Sequence, residues 1–407
     1  MSETVPSVRP MRAPSSAAAP VSALGLGPMP TWKLDDLYPS PKSEAVEADL
    51  KRAAEAAQAI KRRYQGKLAG LASDGAKLAE AITAYESLSD TIGRLGSYAG
   101  LLFSADMANP DNAKFYGDVQ EKITAITTEL IFFELELNKL DEGELARALQ
   151  VPALARFKPW IDDLRKEKPY QLDEDLERLF HEKSITAHSA WSRLFSETMT
   201  RLRFDVEGEA EPMPLEPTLN LLMHPDARRR QRAAEALAKV FKENARLFTL
   251  ITNTLAKDKE ISDRWRGFKD VADSRHLANR VEREVVEALV AAVRSAYPKT
   301  AHRYYRLKAK WLGMDKLAYW DRNAPLPDKP ERLVPWMDAQ RMVLTAYSSF
   351  SSELAAIAMR FFEGRWIDAP VREGKAPGAL PGRTGASIQR LSKNSLASDA
   401  ISGANLP

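Results

Sequence analysis

Apolar residues recur three and four positions apart along most of the chain, which is the spacing of one face of an α-helix. Residues 43–64, 76–107 and 111–140 each show this pattern and are joined by short connections. The stripe of residues 76–107 consists of Leu78, Ile82, Tyr85, Leu88, Ile92, Leu95 and Ala99. Three amphipathic helices with short connections predict an antiparallel α-helical bundle.

The same periodicity continues beyond the bundle, so the sequence predicts a mainly α fold. Further helices are predicted over residues 173–184, 188–201, 226–264, 282–297, 299–312 and 334–362. At 1.5 Å per residue, a helix over residues 226–264 would span roughly 55–60 Å. We find no repeat with a period of about 34 residues, which disfavours a helical solenoid.

Two short segments depart from the helical pattern. Residues 203–209 alternate polar and apolar positions and end in a turn, which predicts a minor hairpin. Near the carboxyl terminus a helix is predicted to end at Gly364, and Trp366, Ile367 and Val371 then indicate a short, truncated strand. A glycine-containing turn closes this segment at residues 374–379.

These changes of pattern predict four regions. Residues 1–30 are rich in Pro, Ala and Ser and are predicted to be a disordered tail rather than a targeting peptide. Residues 31–200 form the amino-terminal bundle, and residues 201–379 contain the longer helices. From Leu380 to Pro407 there is no aromatic residue and no periodic apolar face. We therefore predict an unstructured tail over residues 380–407, with an origin in out-of-frame translation.

Composition narrows the classes of function. With 59 Lys and Arg against 56 Asp and Glu, the net charge is +3, which is too balanced to indicate a polyanionic partner such as nucleic acid. The absence of cysteine excludes disulfides, Cys-ligated zinc and a thiol nucleophile. No window approaches the roughly 18 apolar residues of a membrane span. The sequence therefore predicts a soluble, cytoplasmic protein with no nucleic-acid or membrane partner.

Five histidines are present, and His181-Glu182 is the one His-Glu pair among them. A helical zinc peptidase needs a second histidine four residues after the first, with the glutamate between them as general base. Ile185 occupies that position here. Glu177 and His181 share a helix face and His188 lies two turns further on, but these residues form no complete ligand set. We interpret them as a solvated, charged face.

Two other groups of residues could contribute to binding. The basic run of residues 228–232 could contact nucleic acid, but Glu235 and Glu243 follow it, which favours a solvated helix face. A group of aromatic residues would form a stacking platform if exposed, but helical spacing favours packing in the core. This group consists of Tyr304, Tyr305, Trp311, Tyr319 and Trp320. No Ser/His/Asp arrangement stands out.

Several segments, in order along the chain, give the sequence a resemblance to oligoendopeptidase F and related thimet-oligopeptidase-like zinc metallopeptidases. They are residues 32–38 (Trp-Lys-Leu-Asp-Asp-Leu-Tyr), 187–195 (Ala-His-Ser-Ala-Trp-Ser-Arg-Leu-Phe), 266–268 (Arg-Gly-Phe), 312–314 (Leu-Gly-Met), 319–321 (Tyr-Trp-Asp) and 374–379 (Gly-Lys-Ala-Pro-Gly-Ala). The resemblance implies a multi-helical lobe of a saddle-like enzyme that cleaves short peptides in a deep cleft. It also implies that residues 374–379 belong to a small sheet beside the active site.

The sequence departs from the pattern of the family at the zinc motif. Family members carry His-Glu-x-x-His on one helix and a further glutamate ligand on a later helix, and this sequence contains neither. We therefore predict no catalytic, cofactor-binding or metal-binding residue in this chain, no bound zinc, and no peptidase activity of the chain alone. The leading interpretation is an amino-terminal portion of a peptidase. The alternatives are a non-catalytic helical module that binds peptides or partners, and a pseudogene product without function.

Overall fold

A computed structural model of the chain describes residues 26–327, 333–376, 379–384 and 388–393. The helices of the first half are α1 (Glu44–Tyr64), α2 (Leu68–Leu71), α3 (Gly75–Ala105), α4 (Pro110–Thr128), α5 (Ile131–Lys139), α6 (Glu142–Ala148), α7 (Pro152–Ala155), α8 (Lys158–Glu167), α9 (Glu174–Lys183) and α10 (His188–Arg201). Those of the second half are α11 (Leu215–Leu221), α12 (Ala227–Glu243), α13 (Ala245–Arg266), α14 (Asp273–Ala278), α15 (Arg283–Ala296), α16 (Ala301–Trp311), α17 (Trp336–Phe350) and α18 (Ser352–Glu363). Single turns of 3₁₀ helix cover Lys168–Tyr170 and Tyr319–Asp321. The predicted mainly α fold is confirmed.

The amino-terminal helices pack as a bundle around one large apolar cluster. Phe132, Phe133, Leu78 and Ile82 are buried in it, together with the apolar faces of α1 and α6–α8. The ring of Phe133 stacks on that of Tyr85 with centroids 4.6 Å apart. Aromatic pairs of this kind stabilise a core beyond the area they bury. This core fixes the position of α5, and α9 packs against α4 and α5. Helices α5 and α9 carry polar groups described below.

Side-chain caps explain why α3 and α4 begin where they do. The carboxylate of Asp74 accepts a hydrogen bond from the backbone N–H of Lys77. The side-chain oxygen of Asn109 accepts from the amides of Asp111 and Asn112, and Pro110 occupies the first helical position. Each cap satisfies N–H groups that have no partner within their own helix.

Three predicted long helices are interrupted in the structure. The segment over residues 111–140 breaks between α4 and α5, where the hydroxyl of Thr128 donates to Thr124 O at 2.8 Å. The segment over residues 226–264 breaks at Asn244, whose side-chain amide donates to Val240 O at 2.9 Å. Such side chains compete for helix carbonyls and bend or end the helix. The prediction of a single helix over residues 226–264 was therefore wrong.

The third interruption separates α17 from α18 at Ser351. This residue is extended (φ −154°, ψ 124°), and its hydroxyl accepts a hydrogen bond from the Leu354 amide. Serine in that conformation is a favoured N-cap, so it begins a new helix rather than continuing the old one. The two helices then pack against each other.

The extended segments are short. The predicted hairpin near residues 203–209 is present as one antiparallel bridge between Phe204 and Met213. Near the carboxyl end lie strands β1 (Ile367–Asp368), β2 (Ala379–Thr384) and β3 (Ile388–Lys393). They form a sheet of order β1-β3-β2, in which β1 pairs parallel and β2 antiparallel with β3.

The strands correct one part of the predicted domain organisation. Residues 380–407 were expected to be an unstructured tail, yet β2 and β3 occupy residues 379–384 and 388–393. The pattern was misleading because paired strands satisfy their backbone groups through the ladder and need no helical periodicity. The predicted tail over residues 1–30 lies outside the described residues except for residues 26–30. None of the described helices combines the length and apolar character that a bilayer crossing requires.

Candidate functional site

The residues tested for a zinc motif lie at one end of α9. His181 Nε2 is 2.7 Å from the hydroxyl of Thr127 on α4, which ties α9 to the bundle. Glu177, one turn earlier, accepts two hydrogen bonds at 2.7 Å from the guanidinium of Arg266 at the end of α13. His188 is exposed at the start of α10. The described residues contain no group of three His, Asp or Glu that could hold a metal ion.

Arg266 is positioned by the way α13 ends. Gly267 adopts a left-handed conformation (φ +78°), which closes the helix and turns the chain toward Phe268. The ring of Phe268 then stacks on that of Tyr170, with centroids 4.1 Å apart. Burial opposes ionisation of Glu177, but the hydrogen bonds from Arg266 and from the Leu172 amide outweigh it, so the pKa of this carboxyl is lowered.

Two cavities lie on either side of the Glu177–Arg266 pair. The first has a volume of about 440 Å³, and its walls include His181, Lys183 and Asp258. The second has a volume of about 330 Å³ and extends toward α5. The ion pair forms part of the wall of both cavities. The described residues show no set of metal ligands there.

The second cavity contains two carboxyl groups that sequence analysis missed. Burial raises the pKa of Glu134, against the opposing effect of a hydrogen bond that Tyr85 donates at 2.9 Å. Burial also raises the pKa of Glu167, and the neighbouring charge of Glu134 adds to the effect. Glu134 lies within an apolar run of α5, Ile-Phe-Phe-Glu-Leu. A glutamate inside such a run was the one feature of the sequence that could have indicated a buried carboxyl group.

The basic run of residues 228–232 forms only in part the solvated face predicted for it, since Arg228 and Gln231 are exposed. Arg230 is buried and pairs with the equally buried Asp321 at 2.8 Å. Its guanidinium also donates to the carbonyls of His224 and Pro225. Arg232 pairs with Glu207 at 2.8 Å, and Arg229 pairs with Glu209. These arginines are occupied with acidic and backbone partners, so the run is part of the architecture of the second half.

The aromatic group of residues 304–320 is largely exposed, so the prediction of core packing was wrong. The exposed fractions are 44% for Tyr304, 50% for Trp311 and 68% for Tyr319. A cavity of about 340 Å³ opens between Tyr305 and Tyr319. Helical periodicity correctly indicated an apolar face, but it carries no information about whether anything covers that face.

The turn at residues 374–376 packs against the end of α3. Met107 N donates to Gly374 O at 2.6 Å, and Ala376 N donates to Ser104 O at 2.8 Å. Gly374 has a φ of +76°, and an added Cβ would approach Asp106 Oδ1 to 2.4 Å, so both its conformation and its surroundings require glycine. This is the glycine of the Gly-Lys-x-x-Gly-Ala segment, so its presence has a structural reason here.

Lys375 and Asp368 form a buried pair beside this turn. Lys375 Nζ lies 3.1 Å from Asp368 Oδ2 and donates to the carbonyls of Asp368 and Pro370. Arg372 contacts the same carboxylate oxygen at 2.5 Å. Burial lowers the pKa of Lys375 to about 8, against the opposing effect of Asp368. The pair joins β1 to the glycine turn and fixes this end of the sheet.

Comparison with known proteins gives a consistent result. A family model described as Oligopeptidase F matches residues 136–204. The chain is 25% identical to Oligopeptidase PepF of Bacillus subtilis over 359 residues, which cover 86% of this chain and 52% of that protein. It is 25% identical to Group B oligopeptidase PepB of Streptococcus agalactiae, covering 66% of this chain and 46% of that protein. The chain spans about half the length of these curated relatives.

Solved structures show the same fold. PZ peptidase A, determined with an inhibitor, superposes with a TM-score of 0.68 at 16% identity, covering 91% of this chain and 62% of that one. Oligoendopeptidase-F from Enterococcus faecium gives a TM-score of 0.62 at 19% identity, covering 79% of this chain and 61% of that one. The fold is therefore that of a helical lobe of this class of peptidase. Taken with the family model and the curated relatives, this likeness supports the predicted resemblance of the chain to the oligoendopeptidase F family.

Proposed function

We propose that this chain is the amino-terminal helical portion of a zinc metalloendopeptidase that hydrolyses short peptides, and that the chain alone does not hydrolyse them. The observation that carries this proposal is the match to PZ peptidase A, which covers 91% of this chain but 62% of the peptidase. The absence of His-Glu-x-x-His from the sequence also supports the proposal that this chain alone does not hydrolyse peptides.

The chemistry of peptide hydrolysis explains why the motif matters. An activated water and a stabilised oxyanion are both needed, and zinc in an open site supplies both. A zinc site of this kind uses two histidines one helical turn apart with a glutamate between them. Here Ile185 replaces the second histidine after His181-Glu182, and the described residues offer no other set of three ligands. The residues present therefore do not fit the metal.

The proposal is tested by elemental analysis and a peptidase assay on the purified chain. We expect no stoichiometric zinc and no chelator-sensitive cleavage of a fluorescence-quenched nonapeptide. Oligopeptidase PepF of Bacillus subtilis, assayed in parallel, controls for substrate and buffer. One tightly bound zinc ion per chain, together with cleavage that a chelator abolishes, would contradict the proposal.

A second candidate function is a non-catalytic peptide-binding module. The cavity between Tyr305 and Tyr319 favours it, because exposed aromatic side chains beside a cavity are suited to hold a peptide. Titration with the same nonapeptide tests this function, with Tyr319→Ala as the variant and Val271→Ala as a control at another exposed position. Saturable binding that Tyr319→Ala weakens and Val271→Ala leaves unchanged supports the module. Equal binding of the nonapeptide by the wild type and by both variants opposes the module.

The predicted domain limits and the cytoplasmic location belong to the same proposal. A boundary near residue 200 is supported by the separate apolar cluster that Phe204, Val206 and Leu237 form in the second half.

The out-of-frame origin of residues 380–407 stays a prediction. It is tested by reading the nucleotides beyond codon 379 in the other two frames. His-Glu-x-x-His in one of them is the expected result, and its absence from both before an early stop would refute that origin.

A further inference from the structure

The cavity between Tyr305 and Tyr319 is built from one continuous stretch of the chain. Its lining residues all lie between residues 305 and 322, on α16 and on the segment that follows this helix. Its volume of about 340 Å³ falls in the range of ligand pockets, about 300–1,000 Å³. Ala309, which is 4% exposed, contributes to an apolar part of the wall. The cavity therefore has the size and the mixed lining of a small-molecule site.

Buried polar groups join the two walls of this cavity. Lys308 on α16 is buried and donates a hydrogen bond from Nζ to the carbonyl of Arg322 at 2.7 Å. Asp321 accepts a hydrogen bond from the Ala318 amide at 3.1 Å and pairs with the buried Arg230. Charged groups are costly to bury unless such partners compensate them. These contacts hold the segment against α16, so the cavity is formed before any ligand binds.

The charged side chains that line the cavity are mainly positive. Arg306, Lys316 and Arg322 face one carboxylate among the lining residues, that of Asp315, and all four are exposed. Among the residues that the structure describes, the side chains of the three cations have no hydrogen-bond or salt-bridge partner. The arginines of α12, by contrast, pair with glutamates. An anion is the ligand that complements this lining.

Two tyrosine rings provide a surface for the rest of such a ligand. Tyr305 is 38% exposed and Tyr319 is 68% exposed, and both line the cavity. The ring of Tyr319 packs edge-on against Trp320, with centroids 4.8 Å apart, which supports it from one side. Exposed aromatic rings stack on planar rings, and arginine guanidinium groups do so as well. The lining therefore suits a ligand that combines an anionic group with an aromatic ring.

The number of charges favours a phosphate over a carboxylate. The three cations exceed the single carboxylate of the lining by two charges. A phosphate monoester carries about −1.5 to −2 charges at pH 7, whereas a carboxylate carries one. Arginine also matches phosphate oxygens with two parallel hydrogen bonds. A phosphate monoester thus balances the lining more closely than a carboxylate does.

We propose that this cavity binds a small aromatic phosphate monoester, the chemistry that a nucleoside monophosphate and phosphotyrosine share. Arg306, Lys316 and Arg322 hold the phosphate, and Tyr305 and Tyr319 contact the ring. The proposal goes beyond the proposed function, because it requires neither zinc nor peptide hydrolysis. It also gives the cavity a ligand other than the peptide of the second candidate function.

The test is isothermal titration calorimetry of the full chain with adenosine monophosphate and, separately, with free phosphotyrosine. We expect saturable binding at one site, which weakens as the salt concentration rises. Adenosine lacks the charge and inorganic phosphate lacks the ring, so each should bind at least about 10-fold more weakly. Binding of either aromatic phosphate supports the proposal, and the tighter of the two identifies the source of the ring.

The double variant Arg306→Gln/Arg322→Gln should weaken binding by about 30-fold or more, because two charge-assisted hydrogen-bond donors are lost. The matched control is Arg62→Gln/Arg147→Gln, which removes the same charge from exposed positions of α1 and α6. It should leave binding unchanged, and circular dichroism should show that both variants fold.

Three results would each overturn the proposal. They are no binding of either aromatic phosphate, equal binding of adenosine or inorganic phosphate, and equal weakening by the cavity variant and its control. Binding of the nonapeptide is measured in the same way. If the nonapeptide binds in a manner that Tyr319→Ala weakens and neither aromatic phosphate binds, the phosphate site is refuted and the peptide-binding module stands. The zinc content and cleavage assays bear only on the proposed function.

Discussion

Arg230 and Asp321 form an ion pair at 2.8 Å in the interior of the second half, with side chains that are 2% and 0% exposed. The pair joins α12 to the 3₁₀ turn Tyr319–Asp321. Asp321 also accepts a hydrogen bond from the Ala318 amide at 3.1 Å, so both partners are held by further contacts. Buried pairs are strongly destabilising when one partner is removed, because the other charge is left without compensation.

We therefore expect Arg230→Met to lower the free energy of unfolding by about 3–5 kcal/mol. Denaturation in urea, followed by circular dichroism, measures the change. Arg232→Met on the same helix is the control, because its partner Glu207 is 78% exposed and such pairs contribute about 1 kcal/mol or less. Equal effects of the two substitutions would show that burial of the Arg230 pair does not determine its contribution.

Glu134 should make stability depend on pH in a defined direction. Its pKa in the folded protein is raised above the ordinary value of 4.5 by burial. The neutral form is therefore favoured by folding, and its stabilising contribution is fully present below pH 4.5 and lost as pH rises through the folded pKa. Above the folded pKa the charged carboxylate is buried at a cost in stability.

Replacement Glu134→Gln removes that charge while its side-chain oxygen can still accept the hydrogen bond from Tyr85. We expect the variant to unfold at a higher temperature than the wild type at pH 7, with the difference disappearing toward pH 4. Thermal unfolding across pH 4–8 measures it. Glu121→Gln, at an exposed position of α4, should show no such trend. A variant less stable than the wild type at pH 7 would show that the charge of Glu134 stabilises the fold.

Two phenylalanines should respond to very different extents to the same substitution. Phe133 is fully buried and stacks on Tyr85, so Phe133→Ala should lower the free energy of unfolding by about 3–5 kcal/mol. Phe350 is 85% exposed, so Phe350→Ala should change it by about 0.5 kcal/mol or less. Urea denaturation of both variants measures the difference. A large loss from Phe350→Ala would mean that other residues cover the Phe350 ring in the isolated chain.

Three helices begin after residues whose type favours a helix start. Asp74, Asn109 and Asp226 cap helices through their side chains, and each is a residue type favoured at that position. The interruptions at Asn244 and Ser351 were missed because apolar periodicity continues on both sides of them. Both residues hydrogen-bond to nearby backbone groups, which is a competing local preference that a search for periodicity alone overlooks.

Long-range contacts were beyond what the sequence could predict. Arg230 is buried because Asp321, 91 residues further along, lies beside it in the fold, and nothing in the basic run distinguishes Arg230 from its neighbours. In the same way, the pair between Glu177 and Arg266 joins residues 89 positions apart. The exposure of Tyr304 and Phe350 likewise depends on whether another element covers them. Helical spacing is the same for a covered and for an uncovered apolar face, so it does not predict exposure.

Gly374 should tolerate no side chain. Its φ of +76° lies in the left-handed region, and a Cβ there would meet Asp106 Oδ1 at 2.4 Å. Asp106 Oδ1 already accepts hydrogen bonds from the amides of Ala108 and Asn109, so it cannot move away freely. Residues other than glycine held in this conformation cost about 1–3 kcal/mol. We expect Gly374→Ala to lower the free energy of unfolding by at least that amount, as measured by urea denaturation.

The control for this substitution is Gly70→Ala, because Gly70 lies in α2 and a Cβ added there meets no atom within 4 Å. In a helix, alanine is more favourable than glycine by about 0.5–1 kcal/mol, so Gly70→Ala should be neutral or stabilising. Limited proteolysis adds a local readout, since loss of the hydrogen bond from Met107 N to Gly374 O should expose the segment that follows β1 to cleavage. If Gly374→Ala matched Gly70→Ala in both measurements, the turn would not depend on glycine. The packing of residues 374–376 against the end of α3 would then need another cause.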